Sequence, residues 1–518
     1  MFSINSNTHQ ALEALRRDNT HQYLWIDQIC INQDDVRERS QQLPLMSGIF
    51  RQAKGVIIWL GDLDEATWDA VHLIYDFLLD RQIMPSSKRK KGDFSLLDPC
   101  MVIKPGVMDL QSSVERFSKV LQASWFTRMW VVQELAMAEN ASIMCGSKLL
   151  DFKVLSSVIT GLSTLAPNRH RRYLTTGKRT IYEPIHITFD SKRECQAFKR
   201  ALETSSASSR LRTLLDTQPS PVDLLDLLGY FRTYDCSDAR DHVYGLMQLP
   251  AEFDRYGLTV NYNMSTDDVY LMTAKALLSS GQTNVLAFCD RAAQGIYARI
   301  LPSWVPDWSA NYRSQISMKT FSASSDLSTH RSARCSFEEP DVLCIAGSFV
   351  DDIHDIYPFT NGDDAEALLS LKAALKTKAH ILDQYEDLTE AFTHTTIADR
   401  EPQHLRGWRR VGRRVLGLLS SRHVASQQRE LPSEFLATVE LFREAKMLFS
   451  TSLGYIGLGS KELRQGDTVV ILFGARVPFA LRKTRNGCYI LMGECYIHGV
   501  MDGEFMAKEP PIKDFRIV

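Results

Sequence analysis

The sequence predicts an α/β fold class in three parts: an N-terminal parallel-sheet domain (residues 1–150), a large mainly α-helical region (151–450) and a small C-terminal β-rich module (451–518). Three patterns predict this organisation. Strand-like and helix-like runs alternate in the first part, as is typical of a parallel α/β sheet. Helical periodicity broken by polar stretches dominates the second part. In the third part, nine of the 27 glycines fall between residues 454 and 503 and separate short β-rich runs.

The first elements follow one another with short joins. Residues 11–17 are predicted as a short helix, and the aromatic and β-branched run 23–26 as a buried strand. A longer helix, 36–53, gathers apolar residues on one face, although Pro44 inside it removes a backbone hydrogen bond and is expected to kink it. The run VIIWL at 56–60, closed by a glycine, is predicted as a second buried strand.

The alternation continues beyond these elements. Helical spacing predicts helices at 110–123 and 125–138, and a third strand is expected at 142–145. In the middle region, Ser265 is the expected N-cap of a helix that Gly281 ends. Long loops or insertions are expected where serine, threonine and charge accumulate, at 161–195, 204–221 and 309–336.

Composition excludes several classes of protein. Lys and Arg number 60 against 62 Asp and Glu, so no bulk basic field favours nucleic acid. No apolar run approaches the 18 or more residues of a membrane span, and the N-terminus lacks the pattern of a secretory signal. Ten cysteines without a CxxC pair argue against zinc ribbons and disulfide frameworks. These observations predict a cytoplasmic protein in a reducing compartment.

The first candidate site follows the predicted strand 23–26. Asp27 would end that strand, and Asn32 and Gln33 lie in the loop after it. Ligands bind α/β sheets in the crevice outside the carboxyl ends of the strands, where such side chains can hydrogen-bond a base, a ribose or an amide. The alternative is that Asn32 and Asp34 only cap the following helix, which both residue types do well.

The second candidate site lies in the segment SWFTRMWVVQELAMAENASIMCG at 124–146. If this segment is helical, Trp130 and Glu134 are neighbours four residues apart. A carboxylate beside an aromatic wall is partly desolvated, which raises its pKa and fits it for acid–base or electrostatic work. Alternatively, Glu134 is a surface charge, and Arg128 pairs with a nearby carboxylate to hold the helix.

Other groups of residues are weaker candidates for a functional site. Near the C-terminus, polar residues in the glycine-rich β region are expected to be turn and edge groups rather than a metal site; these are Glu494, His498, Asp502 and Glu504. The GxSxG, Walker A, GxGxxG and HExxH motifs are absent from the sequence. The RDH triplet at 240–242 superficially resembles a kinase catalytic loop, but the downstream asparagine and DFG that such a loop needs are absent. The sequence therefore predicts no metal and no resident cofactor.

Several segments together resemble the fungal heterokaryon incompatibility (HET) domain family. The resemblance rests on LWIDQICINQ at 24–33 and SWFTRMWVVQELAMA at 124–138. It continues with DARDHVYGLMQL at 238–249, LPSWVPDWS at 301–309 and YILMGECYIHGVMDGE at 489–504. Such proteins are associated with non-self recognition and programmed cell death after unlike fungal cells fuse. The resemblance therefore implies a role in triggering a death or growth-arrest response.

A more distant resemblance concerns the chemistry. The HET domain looks like a divergent Toll/interleukin-receptor (TIR) domain, which has a flavodoxin-like parallel sheet. Several TIR domains cleave NAD at the nicotinamide–ribose bond with one glutamate, found on a helix in a pattern like W..KE...A. Trp130, Gln133, Glu134 and Ala138 look similar. The resemblance thus implies Glu134 as the catalytic carboxylate and NAD as a possible substrate. Asp27, Asn32, Gln33, Arg128 and Trp130 are implied as substrate-binding residues.

The chain departs from this family pattern at its start. HET domains usually begin with a strand carrying a Y.ALSY.WG-like motif, and no such motif precedes residue 23. The first strand of the sheet is therefore expected to be missing, as in an N-terminally truncated or inactive paralogue. The rival to catalysis is a non-enzymatic interaction module that signals by self-association or through a protein partner.

Overall fold

The chain divides into two compact units. The computed structural model describes residues 4–16, 23–61, 65–80, 113, 116–117, 120, 123–146, 148–165, 223–250, 253–290, 301–310, 316, 321–325, 335–338, 341–359, 364–403, 407–410 and 433–518. The first unit comprises Met1–Leu224, Tyr234–Ala251 and Val260–Asn263, and the second comprises Leu225–Thr233, Glu252–Thr259 and Met264–Val518. Each unit therefore draws on separated stretches of the chain.

The first unit packs helices around a small mixed sheet. Strand β1 runs parallel to β2, with Val56 opposite Ala141, whereas β2 and β3 are antiparallel. The described elements are α1 Ser6–Leu15, α2 Asp27–Cys30, α3 Val36–Gln52, β1 Val56–Trp59, α4 Glu65–Asp80, a 3-10 turn Ser124–Thr127, α5 Val131–Met137, β2 Ala141–Cys145, β3 Lys148–Asp151, α6 Phe152–Leu165 and α8 Asp241–Tyr244. Helix α7, Leu224–Phe231, belongs to the second unit except for its first residue.

The core of the first unit lies on this sheet. Ile58 of β1 and Ile143 of β2 are almost fully buried, and side chains of α4 and α6 pack with them, such as Val71 and Leu155. The strands predicted at 56–60 and 142–145 are therefore confirmed as β1 and β2. Burial among these helices explains the apolar residues of β2, whereas in β1 only Ile58 is buried and Ile57 is 39% exposed.

The buried strand predicted at residues 23–26 is wrong. These residues form no strand, and Tyr23 and Leu24 are 106% and 41% exposed. The segment is held instead by Trp25, whose ring meets that of Phe50 in α3 edge to face at 5.7 Å between centroids. An aromatic run becomes a strand only where a neighbouring strand takes its backbone hydrogen bonds, and here the side chain supplies the anchor.

Helix α3 confirms the predicted helix at 36–53 and runs through Pro44. The helix begins at Asp35, whose Oδ1 accepts the backbone N–H groups of Arg37 at 2.8 Å and Glu38 at 3.1 Å. The Pro44 carbonyl accepts a hydrogen bond from Gln248 Nε2 at 3.0 Å. This contact ties the middle of α3 to residues near 248 within the same unit.

The helix predicted at 125–138 is divided into two pieces. The 3-10 turn Ser124–Thr127 ends at Arg128, which is extended and pairs with Asp235 as an isolated bridge. Helix α5 then begins at Val131. The break arises because the backbone at 127–129 bonds to residue 235 instead of continuing its own helical ladder.

Among the described residues of the second unit, nine strands form one sheet. Its hydrogen-bonded order is β10-β11-β12-β14-β5-β8-β9-β13, with β4 paired to β5 and a further pairing of β10 with β5. The strands are β4 Cys335–Glu338, β5 Val342–Tyr357, β8 Lys446–Thr451, β9 Ile456–Ser460, β10 Thr468–Leu472, β11 Phe479–Lys483, β12 Tyr489–Glu494, β13 Tyr496–Ile497 and β14 Ile512–Ile517. The C-terminal β-rich region is thus confirmed, and the sheet also takes strands from before residue 451.

Helices and a hairpin complete the second unit. Ser265 caps α9 as predicted, with its Oγ accepting from Asp268 N at 3.1 Å, and Gly281 follows the helix end at φ +85°. The remaining elements are α9 Thr266–Ser279, α10 Asp364–Lys376, α11 Ala379–Gln384, α12 Leu388–Thr396, β6 Arg400–Gln403 paired with β7 Gly407–Arg410, and α13 Ser433–Arg443. The predicted helix 110–123 and the predicted long loops lie largely outside the described residues.

Candidate functional site

The loop after Ile26 is built from its own polar groups. Asp27 is the first residue of α2, and its Oδ1 accepts from Gln28 N at 2.8 Å. Gln33 Nε2 donates to the carbonyl oxygen of Asp27 at 3.1 Å, so the loop closes back on the residue at which α2 begins. Asn32 Oδ1 accepts from Asp34 N at 3.2 Å. Asp27, Asn32 and Gln33 are all exposed and therefore reachable by a ligand.

The N-cap of α3 differs from the residues considered as caps in the sequence analysis. Asp35, rather than Asn32 or Asp34, accepts the first free N–H groups of α3. The alternative that Asn32 and Asp34 only cap this helix is therefore wrong. Asn32 instead orders the turn, since its own N–H donates to Glu38 Oε1 at 3.0 Å.

Glu134 lies in the first turn of α5. Its N–H donates to the carbonyl of Trp130 at 3.1 Å, which confirms that the two residues are four-apart neighbours. Near the N-terminus of a helix, unbonded N–H groups and the helix dipole favour negative charge. A seven-residue helix contributes little by this route, so the surroundings of the carboxylate decide its chemistry.

Burial raises the pKa of Glu134 above its ordinary value of 4.5. The Arg128 guanidinium opposes this rise, the Asp27 carboxylate adds to it and a hydrogen bond from the Trp125 side chain opposes it. The residue is nevertheless only partly buried by surface area, so solvent or a small ligand has access to it. Glu134 is thus a carboxylate whose ionised form its surroundings disfavour.

The structure brings three of the sequence-predicted residues into one electrostatic neighbourhood. Asp27 and Arg128 both act on Glu134, although they come from segments about 100 residues apart. Arg128 itself is exposed. Asn32 and Gln33 lie on the loop of Asp27, with no described bond to Glu134.

Trp130 has a different partner. Its indole Nε1 donates to Asp241 Oδ2 at 3.0 Å, so this polar edge is engaged with a buried acid. The aromatic side chain that acts on Glu134 is Trp125, which sequence reasoning did not single out. The signal was present in the SWF run at 124–126, where Trp125 and Phe126 are both buried. Asp241 was also missed, because its triplet was considered only as a kinase-like motif.

The C-terminal polar residues weighed as metal ligands have protein partners. Glu494 Oε1 lies 4.0 Å from Lys446 Nζ, and Asp502 accepts from Arg410 Nη1 at 2.7 Å. Burial lowers the pKa of His498 to about 4. Within the described ranges, no group of three or more His, Cys, Asp or Glu side chains is arranged to hold a metal ion. None of the described helices has the length and apolar character that crossing a membrane requires.

Two parts of the chain match known protein families. Residues 1–134 match the family described as heterokaryon incompatibility protein (HET), and residues 362–518 match the Het-6 beta-barrel domain. The N-terminal part of the chain is therefore similar to the HET family, and its C-terminal part is similar to the Het-6 barrel. This confirms the family resemblance read from the sequence motifs. The HET match contains the loop of Asp27 and ends at Glu134.

The chain is also similar to a named incompatibility protein along almost its whole length. The chain is 23% identical to "Heterokaryon incompatibility protein 6, OR allele" of Neurospora crassa, in an alignment 582 positions long that covers 96% of this chain and 83% of the relative. No solved structure matches the chain. The barrel match begins after β5, so β4 and β5 of the large sheet precede it.

Proposed function

We propose that this chain acts in heterokaryon incompatibility, as a non-self recognition protein that triggers growth arrest or cell death. Support comes from the order of its two matched domains and from a named incompatibility protein that aligns with 96% of its length. A match over both domains supports a shared role more strongly than a match to one domain, because each fold alone serves many functions.

The proposed chemistry is cleavage of NAD at the nicotinamide–ribose bond, in a TIR-like manner, with Glu134 as the catalytic carboxylate. The observation that carries it is the position of Glu134, which lies partly exposed in the first turn of α5 with Asp27 and Arg128 close enough to act on its charge. Burial and Asp27 raise the pKa of Glu134, and Arg128 opposes the rise. Carboxylates whose pKa is strongly perturbed cluster at functional sites, because desolvation strengthens their action on a bound substrate. A carboxylate that served only to stabilise the fold would be expected to have its charge compensated.

In the proposed reaction, the C1′–N bond of NAD breaks and its electron pair leaves with nicotinamide. The ribose then carries an oxocarbenium-like positive charge, which the ionised Glu134 stabilises. A water oxygen forms the new bond at C1′ and its proton is released, giving ADP-ribose. Nicotinamide is a neutral leaving group, so the reaction needs no acid catalyst.

The remaining candidates would bind the dinucleotide. The exposed Arg128 guanidinium suits its pyrophosphate, since Arg donates paired hydrogen bonds to phosphate oxygens. Asn32 and Gln33 offer amide groups beside Asp27 for the ribose or the carboxamide. Trp130 supplies an aromatic face, because only the nitrogen edge of its ring is bonded to Asp241.

The test measures NAD loss and nicotinamide release by purified full-length protein, beside Glu134→Gln and the control Glu13→Gln. Glu13 is an exposed glutamate of α1 in the same unit. We expect Glu134→Gln to lower kcat by about 100-fold or more, because it removes charge stabilisation in the transition state, whereas Glu13→Gln keeps the rate. Unchanged turnover in a folded Glu134→Gln protein would exclude this chemistry.

A second candidate function is a non-enzymatic module that acts by self-association. It is favoured by the apolar side chains exposed close together in sequence around α2, namely Tyr23, Leu24 and Ile29. Under this alternative, expression of Tyr23→Ser with Leu24→Ser abolishes the growth-arrest response, while Glu134→Ala leaves it intact. Under the enzymatic proposal, Glu134→Ala abolishes both the response and the NAD loss.

A further inference from the structure

The first unit contains more than the matched HET segment. The match ends at residue 134, yet the compact unit also takes in Tyr234–Ala251 and Val260–Asn263. These two later stretches form specific hydrogen bonds with residues 127–133, next to Glu134, and with α3. Their role in the proposed site can therefore be read from the contacts.

The backbone next to Arg128 is fixed by residue 235. Met129 N donates to the carbonyl of Asp235 at 2.9 Å, and Asp235 N donates to the carbonyl of Thr127 at 2.6 Å. The two bonds form a short parallel bridge on either side of Arg128. The segments also approach closely farther on, since a Cβ on Gly245 would lie 2.9 Å from Met129 Cγ. Only glycine fits there without moving a neighbour.

Asp241 holds the residue at which the helix of Glu134 begins. It is 5% exposed and accepts from Trp130 Nε1 at 3.0 Å and from Tyr262 Oη at 2.5 Å. Trp130 in turn accepts at its carbonyl oxygen from the N–H groups of Gln133 and Glu134. Each oxygen of the Asp241 carboxylate is therefore occupied by one donor, and one of these donors sets the start of α5.

A second set of bonds links α5 to α3. Gln133 Nε2 donates to Gln248 Oε1 at 3.0 Å, and Gln248 Nε2 donates to the Pro44 carbonyl at 3.0 Å. Tyr262 also reaches α3, since its N–H donates to Ser40 Oγ at 3.2 Å. Helix α3 follows directly on the loop of Asp27. The later stretches thus bridge the two segments that carry the candidate site.

We propose that Asp241 is a positioning residue for Glu134, acting through Trp130, and that residues 234–248 and 260–263 complete the working site of the HET unit. The inference rests on the proposed function for its kinetic consequence. A displacement of about 1 Å in a reacting group costs on the order of 100-fold in rate. In this proposal Asp241 does not contact the substrate. It acts by fixing the direction in which α5 begins.

The first test measures hydrogen exchange and needs no turnover. Asp241→Asn leaves one oxygen for two donors, so the start of α5 is expected to loosen. We expect exchange of the Gln133 and Glu134 amides to rise at least tenfold, while amides of β2 (Ala141–Cys145) keep their protection. The matched control Asp254→Asn, at an exposed aspartate, leaves both regions unchanged. Unchanged exchange at Glu134 would overturn the inference.

A kinetic test distinguishes positioning from general weakening of the fold. We expect Asp241→Asn to lower kcat for NAD cleavage about 10- to 100-fold, with KM for NAD changed less than about threefold. In the Glu134→Gln background the same substitution should cost nothing further, because no carboxylate remains to be positioned. An equal loss in both backgrounds would mean that Asp241 acts independently of Glu134.

Trp130→Phe provides a second variant in case Asp241→Asn does not fold. It removes the indole donor and keeps an aromatic ring, so the same rise in Glu134 amide exchange is expected. These variants distinguish failure of the NAD-cleavage proposal from failure of the positioning proposal. Turnover unchanged in Glu134→Gln removes the proposed NAD chemistry, whereas loss in Glu134→Gln with full kcat in both Asp241→Asn and Trp130→Phe removes only the positioning role.

Discussion

Two carboxylates, one in each unit, have their charge compensated to different degrees. In the second unit, Asp290 and Lys446 are fully buried and lie 2.9 Å apart, with Ser460 Oγ on the other oxygen of Asp290 at 2.8 Å. In the first unit, Glu134 has one opposing cation, Arg128, and the repulsion of Asp27 leaves its pKa raised. One arrangement neutralises charge inside the protein, and the other leaves a charge only partly compensated.

A second acid of the sheet unit follows the same rule as Asp290. Burial alone would raise the pKa of Asp399, but hydrogen bonds from His394 and Arg410 hold it below its ordinary value of 3.8. His394 Nδ1 and Arg410 Nε each lie 2.7 Å from an oxygen of Asp399. The comparison indicates that the charges of Asp290 and Asp399 are compensated by neighbouring cations, whereas the charge of Glu134 is compensated only in part.

The largest expected effect on stability comes from replacing Lys446. Lys446→Ala removes the buried cation that lies beside the carboxylates of Asp290 and Glu494, which is expected to cost about 3–5 kcal/mol of unfolding free energy. Hydrogen exchange of the β8 amides reports this loss locally. The control Lys483→Ala removes an exposed lysine from β11 and should change protection little. A similar small change in Lys446→Ala would show that the buried cation is dispensable.

A smaller effect is expected at Asp399. Asp399→Asn weakens the bonds to His394 and Arg410 and should cost about 1–3 kcal/mol at pH 7. Because the pKa is lowered in the folded state, the contribution is present above 3.8 and is lost as the pH falls through the lower folded value. Denaturant melts at pH 7 and at pH 3, with exposed Asp383→Asn as control, check both points. A cost that grows on acidification would contradict the assignment.

The contribution of Glu134 to stability should depend on pH in the opposite direction to that of Asp399. Its folded-state pKa is raised, so its contribution to stability is greatest below the ordinary value of 4.5 and falls as the pH rises through the folded value. Glu134→Gln is therefore expected to stabilise the first unit at pH 7, with the gain disappearing near pH 4. Exchange protection of β1 and β2 measures it, with Glu13→Gln as control. Destabilisation at pH 7 would place Glu134 among the fold-stabilising acids.

The smallest effects are shifts in the titration of Glu134 itself. Arg128→Gln should raise its pKa further, because the guanidinium opposes the rise, and Asp27→Asn should lower it. A carbon-13 titration of the Glu134 carboxyl gives both directions, and the acid limb of NAD cleavage should move with them. Arg16→Gln, at an exposed residue of the same unit, serves as the unshifted control. Shifts of the same sign in both variants would disprove the proposed charge arrangement.

The sequence predicted correctly those strands and helices that depend on the pattern of neighbouring residues. Residues 56–60 form a continuous apolar run and residues 143–145 a shorter one, and such runs predict strands of a sheet from composition alone. Residues 23–26 have similar composition but no strand, since pairing depends on which backbone lies alongside. The spacing of Trp130 and Glu134 was also readable, although the helix begins only at Val131 because Asp235 captures the preceding backbone.

The candidate site was predictable only in part for the same reason. Glu134 was found through a motif of neighbouring residues, and Asp27 through its place before a polar loop. The partner of Trp130 is 111 residues farther along the chain, where no local pattern connects Asp241 to a helix start. Trp125 was missed because spacing along a continuous helix favoured Trp130, and the break at Arg128 changes which ring lies beside the carboxylate.

The long strand β5 has a consequence for synthesis. Its partner β14 is translated about 160 residues later, since Ile512 pairs with Ser348. At roughly 5–20 residues per second, the ribosome takes about 8 to 33 s to deliver that partner. During this interval the edge of β5 that β14 will occupy is open to strands of other chains. The speed of translation should therefore govern the yield of folded molecules, while leaving the activity of each folded molecule unchanged.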